Sequence, residues 1–101
     1  MAYGYIGSMQ AQPGRRDDVV AILLSAADGL RELGCTSYVV GLAADDPDMI
    51  VVTEVWESKD HHDASLRLPE AREAITAAMP MLTGEFTSRE LVVAGGLGAG
   101  D

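Results

Sequence analysis

Four stretches of the chain have the alternation of apolar and polar positions, or the β-branched and aromatic composition, that is typical of β-strands. They are residues 3–11, 35–43, 49–56 and 84–94. The run MIVVTEVW at 49–56 has the strongest strand character. The turn-forming segment ADDPDM separates it from the stretch before it, which predicts that these two strands form a hairpin.

A first helix is predicted over residues 14–33, where apolar residues recur at three- and four-residue spacing. Asp17 and Asp18 lie where the first turn of a helix favours negative charge. Gly34 follows the last apolar residue, and glycine is common just beyond the end of a helix. The sequence therefore predicts one long helix between the first two strands.

A second helical region lies between the third and fourth predicted strands. Ser58 is a favourable N-cap for a helix that begins at residue 59 or 60. Pro69 interrupts or kinks this helix, because proline lacks the backbone N–H that a helix interior needs. A further helical piece is expected over residues 70–79.

The predicted order of elements is β-α-β-β-α-β, the ferredoxin-like arrangement. This α+β fold class has a four-stranded antiparallel sheet with both helices on one face. We expect a single domain over residues 1–95 and a flexible C-terminal tail over residues 96–101, GLGAGD.

The second face of this sheet is also apolar in the sequence. Val51 and Val55 alternate with the apolar residues of the opposite face, and Val39 does the same on the neighbouring strand. A sheet with one face in water normally alternates between apolar and polar residues. We expect a homodimer in which the two sheets pack face to face. The alternative is that β-branched residues merely stiffen an exposed sheet.

Composition and charge exclude several classes of partner. The formal net charge of −9 argues against nucleic acid and against an anionic membrane surface, since both require clustered basic residues. The single cysteine, Cys35, cannot form an intrachain disulfide, which favours a reducing cytoplasm. The sequence has neither a signal-peptide pattern at its N-terminus nor an apolar run long enough to span a membrane.

Three motifs resemble the antibiotic biosynthesis monooxygenase family, which includes the quinol monooxygenases. They are Pro13-Gly14, the segment from Gly34-Cys35 to Ser37-Tyr38, and TEVWESKDHHDASLRLP at 53–69. The resemblance implies a dimeric α+β barrel. It also implies an oxidation without metal or flavin cofactor, in which a small aromatic substrate or quinol is deprotonated and reacts directly with dioxygen. Other members have other roles, including haem degradation, so the fold does not determine the reaction.

Two adjacent histidines, His61 and His62, are the candidate catalytic bases. Neighbouring helical residues point about 100° apart, and the chain has no third histidine, so we do not expect a metal site. The imidazole group titrates near neutral pH and could take a proton from a phenol. By the resemblance, His62 occupies the functional position and His61 a variable, solvated one. The alternative is an exposed His62 without a function.

Four further residues are candidates for substrate binding: Trp56, Glu54, Ser65 and Met79. Trp56 either anchors the core or forms the wall of a pocket on which an aromatic ring stacks. Glu54 needs a partner or an elevated pKa if its face is covered. Ser65 could bond a substrate or its own helix, and Met79 is expected to line the pocket under the second helix.

The leading hypothesis is a cofactor-independent monooxygenase that oxidises a small aromatic or quinol substrate with dioxygen. One alternative is a non-catalytic dimer that binds a small molecule or serves as an accessory subunit. Another is an isomerase or cyclase on the same scaffold.

Overall fold

A computed structural model describes residues 2–100 and has the predicted order of elements. Its strands are β1 (Ala2–Ala11), β2 (Cys35–Leu42), β3 (Met49–Trp56) and β4 (Leu82–Val93), and its helices are α1 (Arg16–Ala26), α2 (Lys59–Ser65) and α3 (Pro69–Ala78). The strands form one antiparallel sheet in the order β2-β3-β1-β4. The predicted ferredoxin-like α+β fold is confirmed.

The first helix is shorter than predicted. It ends at Ala26, and a separate 3-10 helix covers Leu30–Leu33, so one continuous helix over residues 14–33 is wrong. Gly29 separates the two with a φ of 85°, in the left-handed region that favours glycine. The break lets Leu30 pack against a buried cluster at the end of the sheet. Apolar spacing alone could not reveal it, because both pieces present apolar residues to the interior, α1 to one buried cluster and Leu30 to another.

The second helical region divides where proline predicts. The backbone N–H of His61 donates to Ser58 Oγ over 3.2 Å, so Ser58 caps α2 as expected. Leu68 is extended, and Pro69 is the first residue of α3. Both features follow from proline, which disfavours helical geometry in the residue before it and suits the first turn of a new helix.

The core lies between the helices and the sheet face that they cover, here called the inner face. One buried cluster contains Val19, Ile50 and Val52, with small residues of β1 and α3. A second cluster, Tyr3, Cys35 and Trp56, closes the end of the sheet beside α2. The second cluster supports the candidate site, because α2 contacts β3 there.

The opposite face of the sheet, here called the outer face, carries exposed apolar side chains. Ile6 and Leu91 are each 38% exposed, and Val39 is 56% exposed. These residues alternate with inner-face residues along their strands, as the sequence predicts. The homodimer expected to cover this face stays a prediction.

Residues 94–100 form neither helix nor strand. The predicted boundary between domain and flexible tail stays a prediction, and its terminal residues, Met1 and Asp101, lie outside the described residues. Within residues 2–100, no helix is both long enough and apolar enough to cross a membrane.

Candidate active site

A cavity of about 620 Å³ opens between the inner face of the sheet and the helices. The strands contribute Tyr5, Tyr38, Val52, Glu54 and Trp56 to its lining, and the helices contribute Leu23, His62, Ser65, Ala71 and Ile75. Its volume is within the range of about 300–1,000 Å³ that small-molecule sites occupy. Its walls are mainly apolar, and Glu54 and His62 are among the polar groups that line it near the end of β3.

Glu54 and Trp56 are joined by a hydrogen bond on the inner face of β3. They are two residues apart on the strand, so both side chains point toward the helices. Trp56 Nε1 donates to Glu54 Oε1 over 2.9 Å. Burial raises the pKa of the Glu54 carboxyl, while this hydrogen bond and His62 partly oppose the rise. The carboxyl therefore has a partner as well as the elevated pKa expected of a covered position.

His62 is buried among three aromatic rings. Its ring centroid is 5.2 Å from those of Tyr3 and Tyr5, and it is 5.6 Å from Trp56, which meets it edge-on. Tyr5 is close to parallel with the imidazole ring. The exposed His62 weighed from the sequence as an alternative is absent, since only 7% of this residue is accessible.

The hydrogen bond to Asp63 determines which nitrogen of His62 carries the proton. His62 Nδ1 is 3.0 Å from Asp63 Oδ1, and this hydrogen bond lowers the pKa of the Asp63 carboxyl. An ionised carboxylate can only accept, so Nδ1 carries the proton. Nε2 lies 3.9 Å from Glu54 Oε1, too far for a hydrogen bond. A neutral His62 therefore presents an unshared electron pair beside Glu54.

Two tyrosines flank Glu54 across the sheet. Tyr5 of β1 and Tyr38 of β2 are both directly opposite it in the strand register. Burial, with a smaller contribution from the charge of Glu54, raises the pKa of Tyr38 to about 12. Tyr38 thus keeps its proton at neutral pH, so its hydroxyl can donate a hydrogen bond but cannot act as a base.

The remaining predicted residues have different positions. Ser65 is buried and lines the cavity, and its hydroxyl donates to the backbone carbonyl of His62 over 2.6 Å. This is the bond within its own helix that the sequence left open. Met79, in the 3-10 turn after α3, is half exposed and is not among the residues that line the cavity.

His61 lies outside the cavity on the exposed side of α2. Its Nε2 is 3.5 Å from Glu57, and its Nδ1 is 2.6 Å from Ser58 Oγ. Among residues 2–100, no group of three or more His, Cys, Asp or Glu side chains is arranged to hold a metal ion.

Sequence reasoning missed Asp63 and the roles of Tyr5 and Tyr38 in the cavity. The tyrosines alternate toward the inner face, which the strand pattern predicted, but their pairing with Glu54 depends on strand register. Asp63 gave no signal, because a helical neighbour at i+1 normally points away from the side chain before it.

The family model for antibiotic biosynthesis monooxygenases matches residues 2–77. A solved structure from Chloroflexus aurantiacus, provisionally assigned as an antibiotic biosynthesis monooxygenase, is 41% identical to the chain. The match covers 96% of this chain and 99% of that one, with a TM-score of 0.80. No curated protein is significantly similar to the chain.

More distant structures agree in fold. Rv0793 from Mycobacterium tuberculosis is 20% identical, with a TM-score of 0.82, and the match covers 96% of this chain and 99% of that one. A protein from Caulobacter crescentus, with the same provisional assignment as the Chloroflexus structure, is 19% identical, with a TM-score of 0.86 and coverage of 93% and 91%. At this identity they bear on the fold alone. The family match over residues 2–77 and the 41% identity of the Chloroflexus structure show that the chain belongs to the antibiotic biosynthesis monooxygenase family.

Proposed function

We propose that the protein is a cofactor-independent monooxygenase that oxidises a small phenol or quinol with dioxygen. The observation that carries the proposal is the free Nε2 of His62, which is held beside Glu54 at the wall of an apolar cavity. A buried imidazole with a fixed tautomer is suited to accept a proton from a hydroxyl group.

Aromatic side chains around His62 support binding of a flat substrate. Trp56 and Tyr5 both line the cavity and contact the imidazole ring. A substrate ring that packs beside them would have its hydroxyl near Nε2, and Tyr38 could donate a hydrogen bond to a second oxygen. Holding the reacting groups together in this way contributes to rate by removing the need for a chance encounter.

The reaction begins with transfer of the hydroxyl proton to His62 Nε2. The resulting imidazolium is stabilised by the carboxylate of Asp63 at its other nitrogen. The electron-rich phenolate passes an electron to dioxygen, and the two radicals combine at a ring carbon. The peroxide then takes the proton back from His62 and loses water. A quinol becomes a hydroxylated quinone: one oxygen atom remains on the ring, the other leaves in water, and the substrate supplies all four electrons.

The proposal includes a homodimer and a cytoplasmic location. The exposed apolar residues of the outer face support a second copy packed against the sheet. Cys35 is buried and free, which is compatible with a reducing compartment.

Oxygen consumption tests the proposal directly. Metal-stripped protein is assayed with hydroquinones and polycyclic phenols, and uptake is compared with spontaneous oxidation. We expect His62→Gln to lower the enzymatic rate by about 100-fold or more, since a general base contributes that much. His61→Gln is the matched control and should retain the wild-type rate. Asp63→Ala should lower the rate by about tenfold, because the His62 ring loses its fixed orientation.

Two results would count against the proposal. A His62→Gln variant as fast as wild type would eliminate the assigned base. No uptake across the whole panel would favour a binding or accessory dimer.

An isomerase or cyclase is the second candidate, and the closeness of His62 and Glu54 favours it. Two groups 3.9 Å apart could take a proton from one substrate atom and return it to another. Formation of a product under nitrogen, where no oxygen can be consumed, would identify this reaction.

A further inference from the structure

The charged side chains that line the cavity are mainly negative. Three carboxylates line it: Glu54 beside His62, and Asp28 and Glu70 where the end of α1 meets the start of α3. Within residues 2–100, no lysine or arginine is among the residues that line it. His62 is the one lining side chain in this set that can become positively charged.

Several basic residues are engaged elsewhere. Lys59 Nζ is 3.0 Å from Glu90 on β4, outside the cavity. Arg15 pairs with Asp18 on α1, and Arg16 donates to the backbone carbonyl of Asp46 in the hairpin turn. These bonds hold three of the chain's seven lysine and arginine residues away from a ligand in the cavity.

A ligand with a fixed negative charge would lose water in this cavity without gaining a lysine or arginine partner, and His62 already has the carboxylate of Asp63 as its partner. An ionised group transferred to an apolar site is strongly unfavourable unless it is paired. The carboxylates would add repulsion, which is least screened for the largely buried Glu54 and weaker for the exposed Asp28 and Glu70. An uncharged phenol has no charge to dehydrate and is not repelled by the carboxylates, and its hydroxyl can bond to His62 Nε2.

We propose that the cavity selects uncharged phenols and quinols and rejects those that carry a carboxylate, sulfonate or phosphate group. The inference rests on the proposed function for the phenolic ring, while the charge selection follows from the lining residues. The inference restricts the substrate class to phenols and quinols that have no ionised substituent. The phenolate formed in the reaction is compatible with this selection, because the proton that it loses stays on His62 and the pair remains neutral overall.

Isothermal titration calorimetry with three probes of one ring system tests the selection. The probes are 2-naphthol, 6-hydroxy-2-naphthoate and the methyl ester of that acid, all at pH 7. The ester matches the acid in size but is uncharged. We expect 2-naphthol and the ester to bind and the carboxylate to bind at least about tenfold more weakly than the ester, a difference in free energy of about 1.4 kcal/mol. Equal affinity of acid and ester, or no binding of either neutral probe, would overturn the proposal.

Charge-neutralising variants show whether the cavity itself causes the difference. Glu54→Gln retains an oxygen for the Trp56 hydrogen bond. It should reduce the ratio of ester affinity to acid affinity several-fold. Asp28→Asn, in the exposed turn after α1, should reduce this ratio also and is a second test if Glu54→Gln fails to fold. Glu73→Gln removes the same charge from an exposed position of α3 outside the cavity and should leave the ratio unchanged. If Glu73→Gln reduces the affinity difference between ester and acid as much as the cavity variants do, the cavity carboxylates are not its cause.

The selection and the oxidation can fail separately. If the neutral probes bind and the acid does not, yet no phenol or quinol drives oxygen uptake, the selection stands and the monooxygenase proposal fails. If a quinol carboxylate and its methyl ester are oxidised with equal kcat/KM, the monooxygenase proposal stands and the selection fails.

Discussion

Glu54 is the residue whose ionisation is most closely tied to the candidate site. It accepts from Trp56, lies beside His62 and is flanked by Tyr5 and Tyr38 across the sheet. Burial raises the pKa of its carboxyl, so the folded protein binds the proton more tightly than the unfolded chain does. This difference makes the stability of the fold depend on pH.

The stabilising contribution of protonated Glu54 is complete below the unfolded pKa of about 4.3. It is lost as pH rises through the higher pKa of the folded protein. Glu54→Gln keeps the position neutral at every pH. We therefore expect the free energy of unfolding of the variant, relative to wild type, to increase between about pH 4 and pH 7.

Urea denaturation of both proteins at pH 4, 5.5 and 7 measures this change. Glu73→Gln is the control, since Glu73 is exposed, and its difference from wild type should vary less with pH. A Glu54→Gln difference that is constant over the three values would contradict the assigned effect of burial.

The sequence predicted part of the site at the scale of single residues. Glu54 and Trp56 could be placed on one face because strands alternate with a period of two, and the resemblance singled out His62. The partnership of His62 with Asp63 depends on a side-chain rotamer, which no spacing rule reports. Met79 was expected in the pocket, but the 3-10 turn after α3 leaves it half exposed.

Helix α2 is the element that presents His62 to the cavity, and its start depends on Ser58. The side chain of Ser58 accepts from the backbone N–H of His61, one residue before the proposed base. We expect Ser58→Ala to lower the free energy of unfolding by about 1 kcal/mol, the usual effect of losing an N-cap. Urea denaturation measures it.

Ser25→Ala is a suitable comparison, because Ser25 is exposed near the end of α1 and does not cap a helix. It should change stability by less than about 0.5 kcal/mol. Equal stability of Ser58→Ala and wild type would show that water replaces the cap.

At the scale of elements, predictions were accurate where local chemistry decides the structure. Pro69 fixed the boundary between α2 and α3, and the β-branched run at 49–56 fixed β3. The long first helix was wrong because Gly29 can occupy either a helical or a left-handed conformation. Which one it adopts depends on the packing of Leu30 against the end of the sheet, and that contact is not local in sequence.

At the scale of the whole molecule, the exposed apolar residues of the outer face predict a dimer. Val39 lies on the edge strand β2, next to β3, and is more than half exposed in the single chain. We expect wild type to behave as a dimer in size-exclusion chromatography with light scattering at micromolar concentration. Val39→Lys should weaken that dimer at least about tenfold, because a lysine buried at the contact loses water without a partner.

Leu24→Lys provides the control, since Leu24 is an exposed apolar residue of α1 on the helical side of the molecule. This variant should remain dimeric. A wild-type protein that is monomeric at all concentrations tested would contradict the predicted face-to-face contact and leave the outer face as an exposed sheet.

Trp56 gives the molecule an optical property of its own. It is the single tryptophan of the chain, it lines the cavity, and its ring meets that of His62. The fluorescence of an indole group depends on the polarity of its surroundings and on nearby groups that quench it. All tryptophan emission of this protein therefore originates at the candidate site, so that a molecule entering the cavity should change the emission spectrum without any added label.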